Sequence, residues 1–424
     1  MNQSFSLFIN LSLYVGYFIF ILRGDFKGKR FALLILSLFV ISALCSLLYY
    51  KTPTYFLYSE GLQKEISFEA LLFLFLNIVL FLRPVLSYNI SHDIKVPNYK
   101  ILYYLGIFLG IVSIIPFIEN LVYIKDFNAA KFAEVYFDKM EEGFSSRTHL
   151  STIGRIGNGI ASWFMYITPS IFFYMLASKR KKIYIFLSLI AFINPILIGL
   201  ITGGRGDLFQ LILVLIFNYL LFRKYFSEKQ DRTILMFGAS FGFVAVLILS
   251  FITFARSSGN SSEAYEEIYR YLGEGFVNFA EKAWYIKRHT DGYSIFNGTG
   301  ETFLKDFSDY FNARDYIKLG GITGLRMYVY YTVFGDYFID FGLIGALLFN
   351  IGMAAVFYQL VKRKEAFFSS IILFNLYAKI GFNGIYHFLY MYKIEFVFFT
   401  LLMVFIFRKF EKQNVKGIFL ANSR

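Results

Sequence analysis

Long apolar stretches recur along the whole chain, and they constrain its fold more than any other feature. A stretch of about 20 apolar residues is long enough to cross the hydrocarbon layer of a bilayer as a helix. In lipid, backbone N–H and C=O groups must be paired within the segment, which a helix achieves. We predict eleven such helices, near residues 4–22, 31–50, 66–86, 101–118, 156–177, 183–201, 207–222, 233–254, 337–361, 366–380 and 394–407.

Composition agrees with a membrane protein and argues against the common soluble classes. Hydrophobic residues make up 57% of the 424 positions and charged residues 17%, which is too apolar for an ordinary soluble domain. Lysine and arginine outnumber aspartate and glutamate by 42 to 29. Because these basic residues flank the apolar stretches, we expect no nucleic acid partner. Cys45 is the single cysteine and the four histidines are scattered, so we expect no disulfide, no metal and no cofactor.

The distribution of basic residues predicts the orientation of the chain. Lysines and arginines cluster after the first, third, fifth, seventh and ninth predicted helices and in the C-terminal tail. Since such loops stay on the cytoplasmic side, we place the N-terminus outside and the C-terminus inside. The predicted fold is an all-α polytopic integral membrane protein with about eleven (10–12) transmembrane helices, a single transmembrane domain over 1–424 with two long outer loops, 119–155 and 256–327.

Apolar residues in the second outer loop recur at helical spacing, which predicts an amphipathic helix. We expect this helix to lie on the membrane surface, and the sequence favours neither packing of its apolar face onto the transmembrane bundle nor contact with a substrate. The apolar positions are Tyr265, Ile268, Tyr269, Leu272, Phe276, Phe279, Ala280 and Ala283.

A glycine-rich turn with one arginine, residues 202–207, joins the sixth and seventh predicted helices. Glycine lets a backbone approach a ligand closely, and free amides at a helix N-terminus beside a guanidinium bind phosphate groups. We therefore predict an anion site at Gly204, Arg205 and Gly206, with Arg205 on the diphosphate of a substrate. The alternative is a simple short turn in which Arg205 extends to lipid headgroups.

Other arginines border predicted helix ends on the same face. Arg256 and Arg326 are further candidate catalytic residues, and Arg147 and Arg155 are candidate substrate-binding residues. A guanidinium binds two phosphate oxygens at once, which suits a diphosphate. For any single arginine, solvation or contact with lipid headgroups is the alternative.

Two aspartates near the start of the ninth predicted helix are candidate catalytic residues. Asp336 and Asp340 are four positions apart, so a helix places both carboxylates on one face. Carboxylates at a membrane boundary are costly unless they are paired or used. His289 is another candidate base. Gly342 and Gly345 predict close helix packing.

Two stretches resemble signatures of the Wzy-type oligosaccharide repeat-unit polymerases, the membrane enzymes of O-antigen, capsule and exopolysaccharide assembly. Residues 203–206, Gly-Gly-Arg-Gly, resemble a turn that opens a family helix. Tyr331 and Thr332, followed by Asp-Phe-Gly-Leu-Ile-Gly at 340–345, resemble the family's Tyr-Thr and Asp-Phe-Gly-x-x-Gly signature. The related O-antigen ligases carry His-Asn in this neighbourhood, so the chain is less like a ligase, and its general base is unassigned. His387 is a weaker substitute.

The resemblance implies a GT-C-like helical bundle in the bacterial cytoplasmic membrane. It implies a metal-independent glycosyltransferase that joins undecaprenyl-diphosphate-linked oligosaccharides, with arginines on the leaving diphosphate and a carboxylate or imidazole as base. Tyr331 and Thr332 become candidate substrate-binding residues. The implied partners are the lipid-linked oligosaccharides, membrane lipid, a chain-length regulator and a flippase.

Other classes compete with this interpretation. An oligosaccharide flippase or other transporter usually shows repeats or charges deep in several spans, and an O-antigen ligase-like transferase or a membrane acyltransferase is a second alternative. Here the main polar residues inside the predicted helices are asparagines, which we expect to form hydrogen bonds between helices. They are Asn77, Asn194, Asn218, Asn350 and Asn375.

Overall fold

A computed structural model describes most of the chain, and its described part is dominated by helices. The described residues are 3–58, 65–88, 94–95, 99–125, 149–201, 205–256, 261–292, 320–326, 329–361, 366–387 and 394–413. The chain divides into two compact units. The first consists of Met1–Ile90, Asn260–Arg363 and Tyr377–Glu395, and the second of Ser91–Gly259, Lys364–Leu376 and Phe396–Arg424.

Fourteen α-helices of the described chain are numbered here in chain order, with two short strands. The helices are α1 (Gln3–Arg23), α2 (Lys29–Tyr49), α3 (Pro53–Tyr58), α4 (Phe68–Leu86), α5 (Tyr99–Lys125), α6 (Thr152–Trp163), α7 (Thr168–Ala177), α8 (Lys182–Ile201), α9 (Arg205–Phe222), α10 (Glu228–Arg256), α11 (Ser261–Glu281), α12 (Val333–Val361), α13 (Phe368–Asn383) and α14 (Ile394–Gln413). The strands are β1 (Ile94–Lys95) and β2 (Ala366–Phe367), which pair in parallel.

All eleven apolar stretches lie mainly in helices, which confirms their helical character. The stretch predicted at 366–380 begins with the strand β2 and becomes helical at Phe368. Among the described residues, five helices are long and apolar enough to cross a membrane, and the number is six if one bent pair counts as a span. The five are Gln3–Arg23, Lys29–Tyr49, Phe68–Leu86, Lys100–Lys125 and Val333–Gln359. These helices support a helical membrane protein.

The predicted helix 156–177 is wrong as a continuous element. It consists of α6 and α7, which meet at an angle of 78°. Pro169 lies in the first turn of α7, where its missing N–H needs no partner, so proline begins a new helix there and does not continue the previous one. The helix predicted at 101–118 also continues to Lys125 in α5, beyond the start of the predicted loop 119–155.

In the first unit, the amphipathic helix α11 packs closely on α2. The hydroxyl of Ser42 donates to the carbonyl oxygen of Leu272 at 2.5 Å. A Cβ at Gly273 would lie 2.4 Å from the amide nitrogen of Ser46, so only glycine allows this approach. Phe276 is completely buried beside this contact. The packing alternative is therefore confirmed for the second half of α11.

The first half of α11 differs from the second in its exposure. Tyr265 is 62% exposed and Ile268 is 36% exposed. Further along, Phe279 and Ala280 are completely buried. Apolar periodicity thus predicted the helix correctly, but the extent of its buried face depends on contacts with α2 that the sequence alone does not contain.

Interhelical asparagine pairs stabilise both units, as the sequence predicted. In the first unit, the Asn350 amide donates to the side-chain oxygen of Asn77 at 2.9 Å. In the second, the Asn218 amide donates to Asn375 at 3.0 Å, and the Asn194 side chain bonds to two other buried asparagines. Such bonds satisfy polar groups that have little access to water.

The contact at Gly273 provides a test of the fold. Gly273→Ala gains about 1 kcal/mol of helix propensity, but it places a methyl group against backbone, where overpacking costs roughly 1–3 kcal/mol or more. We expect a net loss of stability and a lower unfolding temperature for the purified protein. The buried thiol of Cys45 provides the readout, because a maleimide dye reacts with it on unfolding.

Gly16→Ala in α1 is the matched control, since a Cβ there meets no atom within 4 Å. It should leave the unfolding temperature unchanged or raise it slightly. Equal unfolding temperatures for Gly273→Ala and Gly16→Ala would contradict the described contact between α11 and α2.

Candidate functional site

Three segments of the first unit meet at the start of α12 and hold the candidate site. The amide of Val333 donates to the carbonyl oxygen of Gly384 at 2.9 Å. A Cβ at Gly275 of α11 would lie 2.7 Å from the carbonyl oxygen of Ile385. The backbones of α11, α12 and segment 383–387 are therefore in close contact, and side chains from all three are placed together.

An aspartate and a histidine form the centre of this site. Asp336 lies in the first turn of α12, and its carboxylate oxygen Oδ2 is 3.5 Å from Nδ1 of His387. Both side chains are largely buried, with 13% and 20% of their surface exposed. A carboxylate facing Nδ1 favours the proton on that nitrogen, which makes Nε2 the basic nitrogen of the ring. The pair has the arrangement of a general base oriented by a carboxylate.

Charged side chains of α11 lie on the same side of the helix as this pair. Arg270 and Glu267 form an ion pair at 2.7 Å. Glu274, one turn further along, is half-buried, and α11 is not among the candidate membrane spans. Withdrawal from water raises the pKa of Glu274 to about 7, with Arg270 opposing this shift and Glu267 adding to it. The charge of His387 also acts on Glu274.

Asp340 does not share the environment of Asp336, although both lie on the same helix. Asp340 is completely buried and accepts a hydrogen bond from the hydroxyl of Thr290. The amide of Thr290 donates to the carbonyl oxygen of Ile339 at 3.1 Å. The two carboxylates are one turn apart on the same stretch of helix, but they have different partners, because segment 289–290 contacts the later turn and His387 contacts the earlier one.

Gly342 breaks α12 instead of continuing it. Its φ of 68° is left-handed, a conformation that glycine adopts readily. A Cβ there would lie 3.1 Å from Nε2 of His289, so the histidine covers the break. The imidazole also packs edge-on against Phe338. The sequence predicted that Gly342 allows close helix packing, whereas in the structure it allows the break in α12.

Tyr331 and Thr332 are both buried, with 1% of their surface exposed. The hydroxyl of Tyr331 donates to the carbonyl oxygen of Arg326 at 3.0 Å. The hydroxyl of Thr332 accepts from the amide of Gly335 at 3.1 Å and caps α12. Thr332 also has a φ of 69°, which is rare for a β-branched residue. The roles of Tyr331 and Thr332 in substrate binding stay predictions. The catalytic role of Arg326, whose side chain is exposed, also stays a prediction.

The other predicted arginines belong to the second unit or lie outside the described residues. Arg155 is exposed in the first turn of α6. Arg205 is the first residue of α9, followed by Gly206, and Arg256 is the last residue of α10. Arg147 and Gly204 lie outside the described residues. Anion binding by these residues stays a prediction.

Sequence reasoning did not single out Glu274, and it ranked His387 low as a base. Their placement depends on the fold of segment 383–387 against α11, which no local pattern shows. Glu267, Arg270 and Glu274 recur at helical spacing on the polar face of α11, opposite its apolar positions, so their spacing alone gave no sign of a site.

A search of the described ranges for three or more histidine, cysteine, aspartate or glutamate side chains that could hold a metal ion finds no such group. The cluster at α11 and α12 contains the imidazole of His387, the adjacent carboxylate of Asp336 and the carboxyl group of Glu274, whose charge changes near neutral pH.

Glu274 makes the stability of the protein depend on pH. In the unfolded chain this carboxyl ionises near 4.5, whereas in the folded chain it stays protonated to about 7. Stability should therefore fall as pH rises through this window, by on the order of 3 kcal/mol. Glu274→Gln removes this component, so its advantage in unfolding temperature over the wild type should grow from about pH 4.5 to pH 7 and then level. Circular dichroism during heating measures it.

The matched control is Glu263→Gln, an exposed position at the start of the same helix. Its difference from the wild type should not follow this pH window. A pH-independent difference between Glu274→Gln and the wild type would contradict the described environment of Glu274.

Comparison with known proteins adds no relative at this point. Neither the protein-family models, nor the curated proteins, nor the solved structures contain a match to the chain.

Proposed function

We propose that this protein polymerises polyprenyl-diphosphate-linked oligosaccharide repeat units by glycosyl transfer. The observation that carries the proposal is the pairing of Asp336 with His387 at 3.5 Å. Asp336 lies in the first turn of α12, just before the Asp-Phe-Gly stretch at 340–345, which resembles the polymerase signature. A second support is the set of long apolar helices, because the substrates of such an enzyme are anchored in a membrane.

The residues of the site suit the chemistry of glycosyl transfer. In the proposed step, Nε2 of His387 takes the proton from an acceptor sugar hydroxyl. The hydroxyl oxygen forms a bond to the anomeric carbon of the donor, and the bond from that carbon to the diphosphate oxygen breaks. The diphosphate leaves with the electron pair. Asp336 stabilises the imidazolium that forms, as in other bases oriented by a carboxylate.

Glu274 adds a third ionisable group to the site in this proposal. Because withdrawal from water raises its pKa to about 7, its charge changes near neutral pH.

Arginines complete the proposed mechanism at the leaving group. Negative charge develops on the diphosphate as the bond breaks, and preorganised guanidinium groups stabilise it without a metal. Arg326 is the candidate in the unit that holds Asp336 and His387. Anion binding by Arg205 and Arg256 is proposed for the second unit by itself. Arg205 has the support of its position at the first residue of α9, where free amides favour an anion.

The proposal includes a location and a set of partners. We propose about eleven spans in a GT-C-like bundle of the bacterial cytoplasmic membrane, with the N-terminus outside and the C-terminus inside. The substrates are undecaprenyl-diphosphate-linked oligosaccharides on the outer face. A flippase would supply them, and a chain-length regulator would act on the product.

Reconstitution tests the proposed function. The purified protein, in liposomes with a defined lipid-linked repeat, should produce a ladder of longer lipid-linked chains on a gel. Asp336→Asn and His387→Ala should each lower the rate roughly 100-fold to 10,000-fold, the usual contribution of a general base. The double variant should be little slower than His387→Ala, because the two residues act as a unit.

Asp291→Asn is the control, an aspartate on the surface of the same unit, and it should keep the wild-type rate. Movement of the lipid-linked repeat across the liposome membrane without longer chains would favour the flippase instead. Transfer to a lipid A acceptor without a ladder would favour a ligase-like enzyme.

A further inference from the structure

Three tyrosines form a cluster beside the imidazole of His387. The ring centres of Tyr330 and Tyr386 are 4.9 Å apart, and Tyr271 lies 5.0 Å from Tyr386 and 5.6 Å from Tyr330, with its ring at 86° to that of Tyr330. The ring of Tyr330 is 5.0 Å from the imidazole. Tyr271 belongs to α11, Tyr386 belongs to segment 383–387, and Tyr330 precedes α12.

The three rings differ in their exposure and are held by the backbone. Tyr386 is buried, with 6% of its surface exposed, and its amide donates to the carbonyl oxygen of Asn383 at 2.7 Å. Tyr271 and Tyr330 are half-buried. The carbonyl of Tyr330 accepts a bond from the Asn278 side chain at 3.2 Å. The buried ring of Tyr386 thus contacts two tyrosine rings that each retain exposed surface.

We propose that Tyr271 and Tyr330 form an angled platform for the acceptor sugar ring, beside the imidazole that takes its hydroxyl proton. This inference rests on the proposed function. A pyranose ring has an apolar face of C–H groups, which stacks on the face of one tyrosine ring and meets the other ring at its side, because the two rings lie at 86°. His387 lies next to the platform, where an acceptor for a sugar hydroxyl is needed.

The charge around the platform favours a neutral sugar over the other parts of the substrate. A polyprenyl chain at this place would put hydrocarbon against the carboxylate of Asp336, which is costly. A diphosphate would meet the negative charge of Asp336, and the nearby guanidinium of Arg270 is already paired with Glu267 at 2.7 Å. The platform therefore belongs to the acceptor sugar, and the donor diphosphate is bound elsewhere, at groups of positive charge.

Binding of a lipid-free sugar tests the platform without turnover. The probe is the repeat-unit oligosaccharide released from its lipid by mild acid, added to the purified full-length protein. Saturation-transfer NMR should show contact with the ring C–H protons of one terminal sugar. Tyr271→Ala and Tyr330→Ala should each weaken binding roughly threefold to tenfold. Tyr330→Phe, which keeps the ring, should bind close to the wild type.

Tyr265→Ala is the matched control, because Tyr265 lies on the same helix and is 62% exposed. It should bind the probe as the wild type does. Two separate positions, Tyr271 and Tyr330, keep the test decisive if one variant does not fold.

Wild-type affinity in both alanine variants, or no binding of the probe to the wild type, would overturn the platform. The same experiment separates the two proposals. Ring-dependent binding without any ladder from lipid-linked substrate would support the platform and remove polymerisation. A ladder from the wild type with unchanged binding in both variants would remove the platform alone.

Discussion

The close approach of α11 to its neighbours is the contact on which the candidate site depends. Gly273 brings its backbone against Ser46 of α2, and Gly275 brings it against Ile385. Both contacts exclude a Cβ, so two glycines two positions apart fix the helix on both sides. Because α11 is held there, its charged residues and Tyr271 lie beside Asp336 and His387. A shift of α11 would move its charged residues and Tyr271 away from Asp336 and His387 at the same time.

The electrostatics of the site follow from this packing. Glu274 is withdrawn from water because α11 lies against other backbone, and its pKa rises to about 7 as a result. Arg270 is paired with Glu267 at 2.7 Å, so its charge offsets the shift of Glu274 only in part. The same burial lowers the stability of the folded protein as pH rises from about 4.5 to 7, because the carboxyl ionises more readily in the unfolded chain.

The sequence predicted the helices well because apolar length and spacing are local properties. It also predicted the asparagine bonds, such as that between Asn77 and Asn350, since polar groups among apolar helices must be satisfied. It did not predict the break of α12 at Gly342 or the pairing of Asp336 with His387. Both depend on segments distant in the chain, around residues 289 and 387, that pack against α12 only in the folded protein. Spacing placed Asp336 and Asp340 one turn apart, but it could not show that one is paired with His387 and the other with Thr290.

The central claim is that Asp336 orients His387 as a base. Nitrogen NMR of the protein with labelled histidine measures this directly, and His387→Gln assigns the signal among the four histidines. We expect the neutral imidazole of His387 to carry its proton on Nδ1, which faces Asp336 at 3.5 Å. In Asp336→Asn this signal should change more than those of the other three. A His387 signal with its proton on Nε2, or one unchanged in Asp336→Asn, would contradict the account.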